Sequence, residues 1–154
     1  MPIIRTWANS WATSERYKET HRLPCIFGCL NARDELSHYI QCEVLWTMIA
    51  ACTGSRLEDL TITDAQKLCW CTPSLWSCKR LTVAFSVYHA LRIGHGDRIH
   101  QLVHVQNFGQ IHELLFEHAA WFAREQGIAR RHPSQLRTNS AMAASLHCSG
   151  VELR

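Results

Sequence analysis

Four residues that can bind a metal lie within a stretch of eighteen, and this cluster constrains the fold more than any other feature of the chain. They are Cys25, Cys29, His38 and Cys42, in the pattern C-x3-C-x8-H-x3-C. Three thiolates and one imidazole can complete a tetrahedral zinc shell. Gly28 can take the left-handed backbone of a tight turn, and the last two ligands are one helical turn apart. The pattern therefore predicts a zinc knuckle over residues 23–46.

The alternative is a set of buried thiols beside a surface histidine, because free cysteine is among the most buried residue types. Two observations favour zinc instead. The pattern is compact, and the segment from Cys25 to Cys29 has no predicted helix or strand that would order it. The gap of three residues between these cysteines departs from the commoner gap of two. We expect the knuckle to be loose without metal.

Length and composition favour a single domain in a reducing compartment. A chain of 154 residues suggests one domain, and its net charge of +3 permits a nucleic-acid partner without requiring one. The sequence has neither an apolar run that could span a membrane nor a signal-peptide block. Eight cysteines without an export signal favour metal binding over disulfides. We therefore expect an intracellular protein with no membrane partner, in the nucleus or the cytoplasm.

Apolar side chains recur at helical spacing along most of the chain, whereas strand signals are weak. The predicted helices cover residues 3–18, 33–53, 64–69, 74–93 and 97–126. The first has the apolar stripe Ile3, Ile4, Trp7 and Trp11. Asp34 and Glu35 suit the start of the second, because negative charge there meets the helix dipole. Gly54, Gly94 and Gly96 are predicted to end helices, and Gly109 to divide the last one.

From residue 128 onward the segment IARRHPSQLRTNSAMAASLHCSGVELR has few large apolar residues and no sustained period. Such a composition buries too little apolar surface to order a chain. We therefore predict a mainly α protein, with an irregular helical domain over residues 1–127 that includes the small zinc-knuckle insert near the N-terminus. Residues 128–154 are predicted to form a disordered C-terminal tail.

Basic residues precede the first cysteine, and they are candidates for contacts with nucleic-acid phosphates. They are Arg16, Lys18, His21 and Arg22. The alternative is a solvated helix end, and the sequence does not decide between the two. Six tryptophans could stack on bases, but most lie on predicted apolar faces, so we expect them to pack in the core.

No catalytic constellation is visible, and we expect that the protein is not an enzyme. His112 and His118 are six residues apart, about 240° round a helix, whereas a zincin needs histidines four apart. We prefer an exposed pair of His112 and Glu113. His100 and His104 are four apart, but the sequence fixes no third ligand for them.

The run RTWANSWATSERY…LPCIFGC…DELSHYIQC…LW resembles the region that follows the polymerase domain in reverse transcriptases of non-LTR (LINE-type) retrotransposons. Those proteins carry a short Cys-Cys-His-Cys zinc-binding segment, with an aromatic and an apolar residue after the histidine and another aromatic beyond the last cysteine. Tyr39, Ile40 and Trp46 fit that pattern. The specific similarity covers residues 4–46, with a looser match as far as residue 95.

The resemblance implies that the four knuckle residues bind zinc and that the chain contacts element RNA or target DNA. The chain has no polymerase palm with catalytic aspartates and no endonuclease motif, so reverse transcription does not carry over. We interpret it as a remnant of a reverse transcriptase C-terminal region that binds nucleic acid without catalysis. The alternative is a zinc-stapled helical module that binds a protein partner through apolar helical faces. A hydrolase with a second metal on the histidine-rich helices, and a decaying reading frame without function, also stay open.

Overall fold

The computed structural model describes residues 2–20, 23–29, 31–53, 63–70 and 74–129. Within these ranges the regular structure is helical, without a β-strand, apart from one isolated antiparallel bridge between Pro24 and Arg33. The predicted mainly α fold is therefore confirmed. The helices are α1 (Pro2–Trp7), α2 (Leu36–Gln41), α3 (Glu43–Thr53), α4 (Asp64–Lys67), α5 (Leu75–His89), α6 (Gly96–His104) and α7 (Phe108–Glu125). A π-helical segment, Ala90–Gly94, continues α5 and is called the π segment below.

Three helices, α3, α5 and α7, pack against one another around the core, and α1 lies on α5. Their large buried side chains are Leu45, Ile49, Leu81, Tyr88, Ile111 and Leu115. Full burial of an aliphatic side chain of this size contributes about 1.5–3 kcal/mol. Ile128, the first residue of the predicted tail, is also buried in this core. Residues 130–154 of that tail lie outside the described ranges.

The first helix is much shorter than the predicted span of residues 3–18. It ends at Trp7, and Asn9 has a φ of 49°, which turns the chain away from the helix axis. The reason is the burial of Trp11, whose ring stacks on Tyr39 with centroids 5.8 Å apart and whose Nε1 donates to Thr6 Oγ1. The prediction that this helix buries an apolar stripe is wrong, since Ile4 and Trp7 are exposed.

The second predicted helix, residues 33–53, is two helices that meet at Cys42. That residue has a ψ of 104°, which interrupts the helical path between α2 and α3. The expected role of Asp34 at the helix N-terminus is wrong, because its carboxylate is fully buried and α2 starts after Glu35. The cap predicted at Gly54 lies outside the described residues.

Helices α4 and α5 begin within one residue of the predicted positions 64 and 74. Thr63 and Ser74 each form a capping box at the start of α4 and α5, an arrangement that satisfies two unpaired backbone donors. Gly94 ends the π segment as expected, but Gly96 begins α6 instead of ending a helix. The predicted division at Gly109 is also wrong, because the break falls at residues 105–107 and Asn107 caps α7.

Candidate metal centre

A tight loop carries the first two cysteines of the knuckle. The Cys25 amide donates to the Ala32 carbonyl at 2.9 Å, and the Gly28 amide donates to the Cys25 carbonyl at 3.1 Å. Gly28 has a φ of +87°, the left-handed conformation that the sequence predicted for it. A Cβ atom at this position would lie 2.5 Å from the Phe108 ring. Glycine is therefore required both by the backbone and by the helix packed against it.

Helix α2 brings the other two candidate ligands to this loop. His38 lies within α2, and Cys42 is the residue at its C-terminal end. The ligand atoms of Cys25, Cys29, His38 and Cys42 all lie within 4.8 Å of one another. The Sγ atoms of Cys29 and Cys42 are 3.5 Å apart. These four residues are therefore close enough to hold one metal ion.

The chemistry of the donor atoms fits a metal. The Nε2 atom of His38 is buried, and in the described part of the chain it has no hydrogen-bond partner. A buried polar atom without a partner is costly, and coordination would satisfy it. Cys25 and Cys42 are buried, whereas Cys29 and His38 are half-buried, so the site lies just beneath the surface.

The candidate ligands perturb one another's protonation. Contact with the thiols of Cys25 and then Cys42 holds the pKa of Cys29 far below its usual range. Contact with Cys25 and then Cys29 raises the pKa of His38 to about 10. The same sulfurs, Cys25 first, raise the pKa of Cys42. A cation would displace these protons, because thiolate and neutral imidazole are the forms that bind metal.

The knuckle is joined to the core by side chains on both sides of it. Phe27 is fully buried, and its carbonyl oxygen lies 2.9 Å from the Nε2 atom of His112 on α7. The Ile26 amide donates to the Tyr39 hydroxyl at 3.3 Å. The Tyr39 hydroxyl in turn donates to Asp34 at 2.6 Å. The loop is therefore part of the main core.

Asp34 is the structural residue that the sequence did not reveal. Its carboxylate accepts hydrogen bonds from the Tyr39 hydroxyl, from the Tyr88 hydroxyl at 2.8 Å and from the Ser14 amide at 2.7 Å. Arg92 in the π segment lies 3.6 Å from it and also pairs with Glu19 at 2.6 Å. These partners lie far apart in sequence, so no local sequence pattern indicates this hydrogen-bond network.

The basic residues predicted to contact nucleic acid are described only in part. Arg16 and Lys18 are exposed in the turn after Trp11, and the Arg16 guanidinium lies 5.5 Å from the centre of the Tyr17 ring. Arg5 on α1 is also exposed, and burial first and then the charges of Arg5 and Arg16 lower the pKa of His89. His21 and Arg22 lie outside the described residues.

The histidines of the last two helices do not converge on one point. His112 is half-buried against the knuckle, so the expected exposed pair with Glu113 is wrong. His100 contacts Arg92, and His118 contacts His95. Across the described ranges, the knuckle is the one group of three or more potential ligands that could hold a metal.

Most tryptophans are exposed, contrary to the expected core packing. Trp11 and Trp46 are buried, whereas the others are 40–64% exposed: Trp7, Trp70, Trp76 and Trp121.

None of the described helices combines the length and apolar character needed to cross a membrane. Comparisons with protein-family models, with curated proteins and with solved structures found no match to this chain.

Proposed function

We propose that this chain is a zinc-stabilised module that binds RNA or DNA and that its metal has a structural role. The observation that carries the proposal is the convergence of four protein ligands, Cys25, Cys29, His38 and Cys42, within 4.8 Å. Four protein ligands fill a tetrahedral shell and leave no open position for a substrate. The site therefore favours stabilisation of the fold over catalysis.

The ligand set selects zinc among the common metals. Thiolates favour soft or borderline ions such as zinc, whereas magnesium and calcium prefer oxygen ligands. Three sulfurs and one imidazole nitrogen match a known type of structural zinc site. Zinc would be held by Cys25, Cys29, Cys42 and the orphaned Nε2 atom of His38.

The nucleic-acid part of the proposal draws support from the surface beside the knuckle. Arg16 and Lys18 are exposed in the turn that precedes it, Arg5 is exposed on α1, and in the described ranges the ion pairs involve Lys67 and Arg92 instead. Exposed cations can contact phosphates. Tyr17 is 56% exposed in the same turn, and aromatic rings of this kind can stack on bases.

The sequence resemblance supports the same partner class. It covers the turn with Arg16 and the whole knuckle, and it implies contact with element RNA or target DNA. We infer that the chain derives from the C-terminal region of a retrotransposon reverse transcriptase and binds nucleic acid without the polymerase.

Salt-dependent binding tests the partner class directly. We expect zinc-loaded protein to bind single- and double-stranded RNA and DNA with an affinity that falls steeply with salt, because phosphate contacts release counterions. The triple variant Arg5→Gln/Arg16→Gln/Lys18→Gln is expected to bind more weakly, and each lost contact to reduce the log–log salt slope by about one. The measurement is fluorescence anisotropy across a salt series.

The matched control removes three charges elsewhere. Arg98, Arg124 and Lys79 lie on α6, α7 and α5, so Arg98→Gln/Arg124→Gln/Lys79→Gln should change binding much less. Equal losses in the two triple variants would show that only net charge matters. An affinity independent of salt in the parent protein would remove the phosphate contacts from the account.

A protein-interaction module is the second candidate, and the exposed aromatic residues favour it. Trp7 donates to the Leu68 carbonyl at 2.6 Å, which places the end of α1 beside the end of α4. Trp70 follows α4 and Trp76 lies at the start of α5, both of them exposed. Exposed apolar surface of this kind can mark a protein interface. Under this second function, Trp70→Gln/Trp76→Gln should abolish partner binding and leave metal content unchanged.

A further inference from the structure

Two imidazole rings meet edge to edge between the π segment and α7, away from the knuckle. The Nε2 atom of His95 lies 3.1 Å from the Nε2 atom of His118, and the ring planes meet at 55°. His95 directly follows the π segment, whereas His118 is in the middle of α7. Helix α7 packs against both the π segment and α6. The two rings are therefore brought together by the packing of helices.

We propose that His95 and His118 form a second metal site, which binds a divalent transition-metal ion such as Zn²⁺ through both Nε2 atoms. This site is open, because two protein ligands leave the other coordination positions to water or to an added ligand. It is distinct from the knuckle both in residues and in chemistry, since its donors are nitrogen alone.

The spacing of the nitrogens is that of two ligands on one ion. Nitrogens bound at about 2.0–2.1 Å and separated by 3.1 Å subtend an angle of about 100° at the metal. That angle lies between those of tetragonal and tetrahedral coordination. Imidazole suits zinc, copper and nickel, all of which adopt one of these geometries.

The surroundings of His118 favour an incoming cation. The His118 and Phe122 rings have centroids 6.4 Å apart and planes 27° apart. Burial first and then the nearby His95 lower the pKa of His118, which favours its neutral imidazole. Neutral imidazole is the form that binds metal. Both rings are half-buried, which leaves a route from solvent.

A direct hydrogen bond between the two rings is the competing account of the same distance. In that case one Nε2 carries a proton that the other accepts, and no cation is needed. A metal ion replaces this proton, so both rings must then carry their protons on Nδ1. The two accounts predict different metal stoichiometry and different ring protonation.

Titration of a second equivalent of Zn²⁺ distinguishes the metal site from the direct hydrogen bond. Untagged full-length protein, first equilibrated with one equivalent of Zn²⁺, is titrated with more Zn²⁺ by calorimetry. Long-range ¹H–¹⁵N spectra follow the histidine rings in parallel. We expect a second, weaker equivalent and a shift of the Nε2 signals of His95 and His118 to metal-bound values.

Variants establish where the second ion binds. His95→Gln and His118→Gln should each remove the second equivalent, whereas His104→Gln, a change at an exposed histidine of α6, should retain it. Circular dichroism checks that the variants keep their helical content. The proposal is overturned if no second equivalent binds, if it persists in both ring variants, or if the two ring signals do not move.

Discussion

At the scale of single residues, a buried carboxylate joins three parts of the chain. Asp34 accepts hydrogen bonds from Tyr39 in α2, Tyr88 in α5 and the backbone of Ser14. Arg92 lies nearby and supplies a positive charge. A charge buried in this way is tolerated because several donors satisfy it. Asp34 therefore fixes the position of the knuckle relative to the helical core.

Replacing this carboxylate with an amide tests its role. Asp34→Asn should lower the free energy of unfolding by about 1.5–3 kcal/mol, because hydrogen bonds to a charged acceptor contribute about that much. Urea denaturation of zinc-loaded protein measures the change. The control is Glu113→Gln, an acid-to-amide change at an exposed position of α7. A variant at Asp34 as stable as the parent would contradict the role given to the network.

The candidate ligands and the buried carboxylate differ in how far the sequence could predict them. The four candidate ligands follow a local spacing, and that spacing alone is enough to predict that they cluster: Cys25, Cys29, His38 and Cys42. Asp34 gave no such signal, because Tyr88 is 54 residues away along the chain. Its place before α2 suggested a dipole interaction, but the tertiary hydrogen bonds decide its position.

At the scale of elements, the knuckle loop and α7 are in direct contact. Gly28 faces the ring of Phe108 at the start of α7, and the Phe27 carbonyl contacts His112 one turn later. The knuckle and the last helix therefore order each other, although 80 residues separate Gly28 from Phe108 in sequence.

Gly28→Ala should destabilise the protein and loosen the metal site. The left-handed backbone disfavours alanine by about 1–2 kcal/mol, and the added Cβ would clash with Phe108 at 2.5 Å. We expect lower thermal stability and weaker zinc affinity, measured by calorimetry and by competition with a chelator. Gly109→Ala is the control, since its nearest neighbour would be 3.8 Å away and alanine favours the helix by about 0.5–1 kcal/mol. Equal effects of the two substitutions would refute this contact.

Helix boundaries were predictable where local chemistry sets them. Thr63 and Ser74 cap α4 and α5 through their own side chains, so the sequence places both starts correctly. The end of α1 depends on Trp11, which leaves the helical path to pack against Tyr39 and Tyr88. Periodicity alone extends that helix, because it carries no information about the distant aromatic partners.

At the scale of the whole molecule, the described residues form one helical core that includes the candidate metal knuckle. Ile26, Phe27 and Tyr39 of the knuckle are buried among the core side chains. Metal binding and packing of the core should therefore be coupled, and removal of zinc should lower the unfolding temperature of the whole domain. The exposed surface around Arg16 and Tyr17 lies outside this core.

Zinc content of the purified protein tests the central claim most directly. We expect about one zinc per chain by elemental analysis, the stoichiometry of a closed four-ligand site. The metal should be lost in Cys29→Ser/His38→Ala and retained in the matched control Cys78→Ser/His104→Ala, whose residues lie on α5 and α6. Freshly reduced parent protein without zinc, or a knuckle variant that binds zinc as tightly as the parent does, would contradict the account.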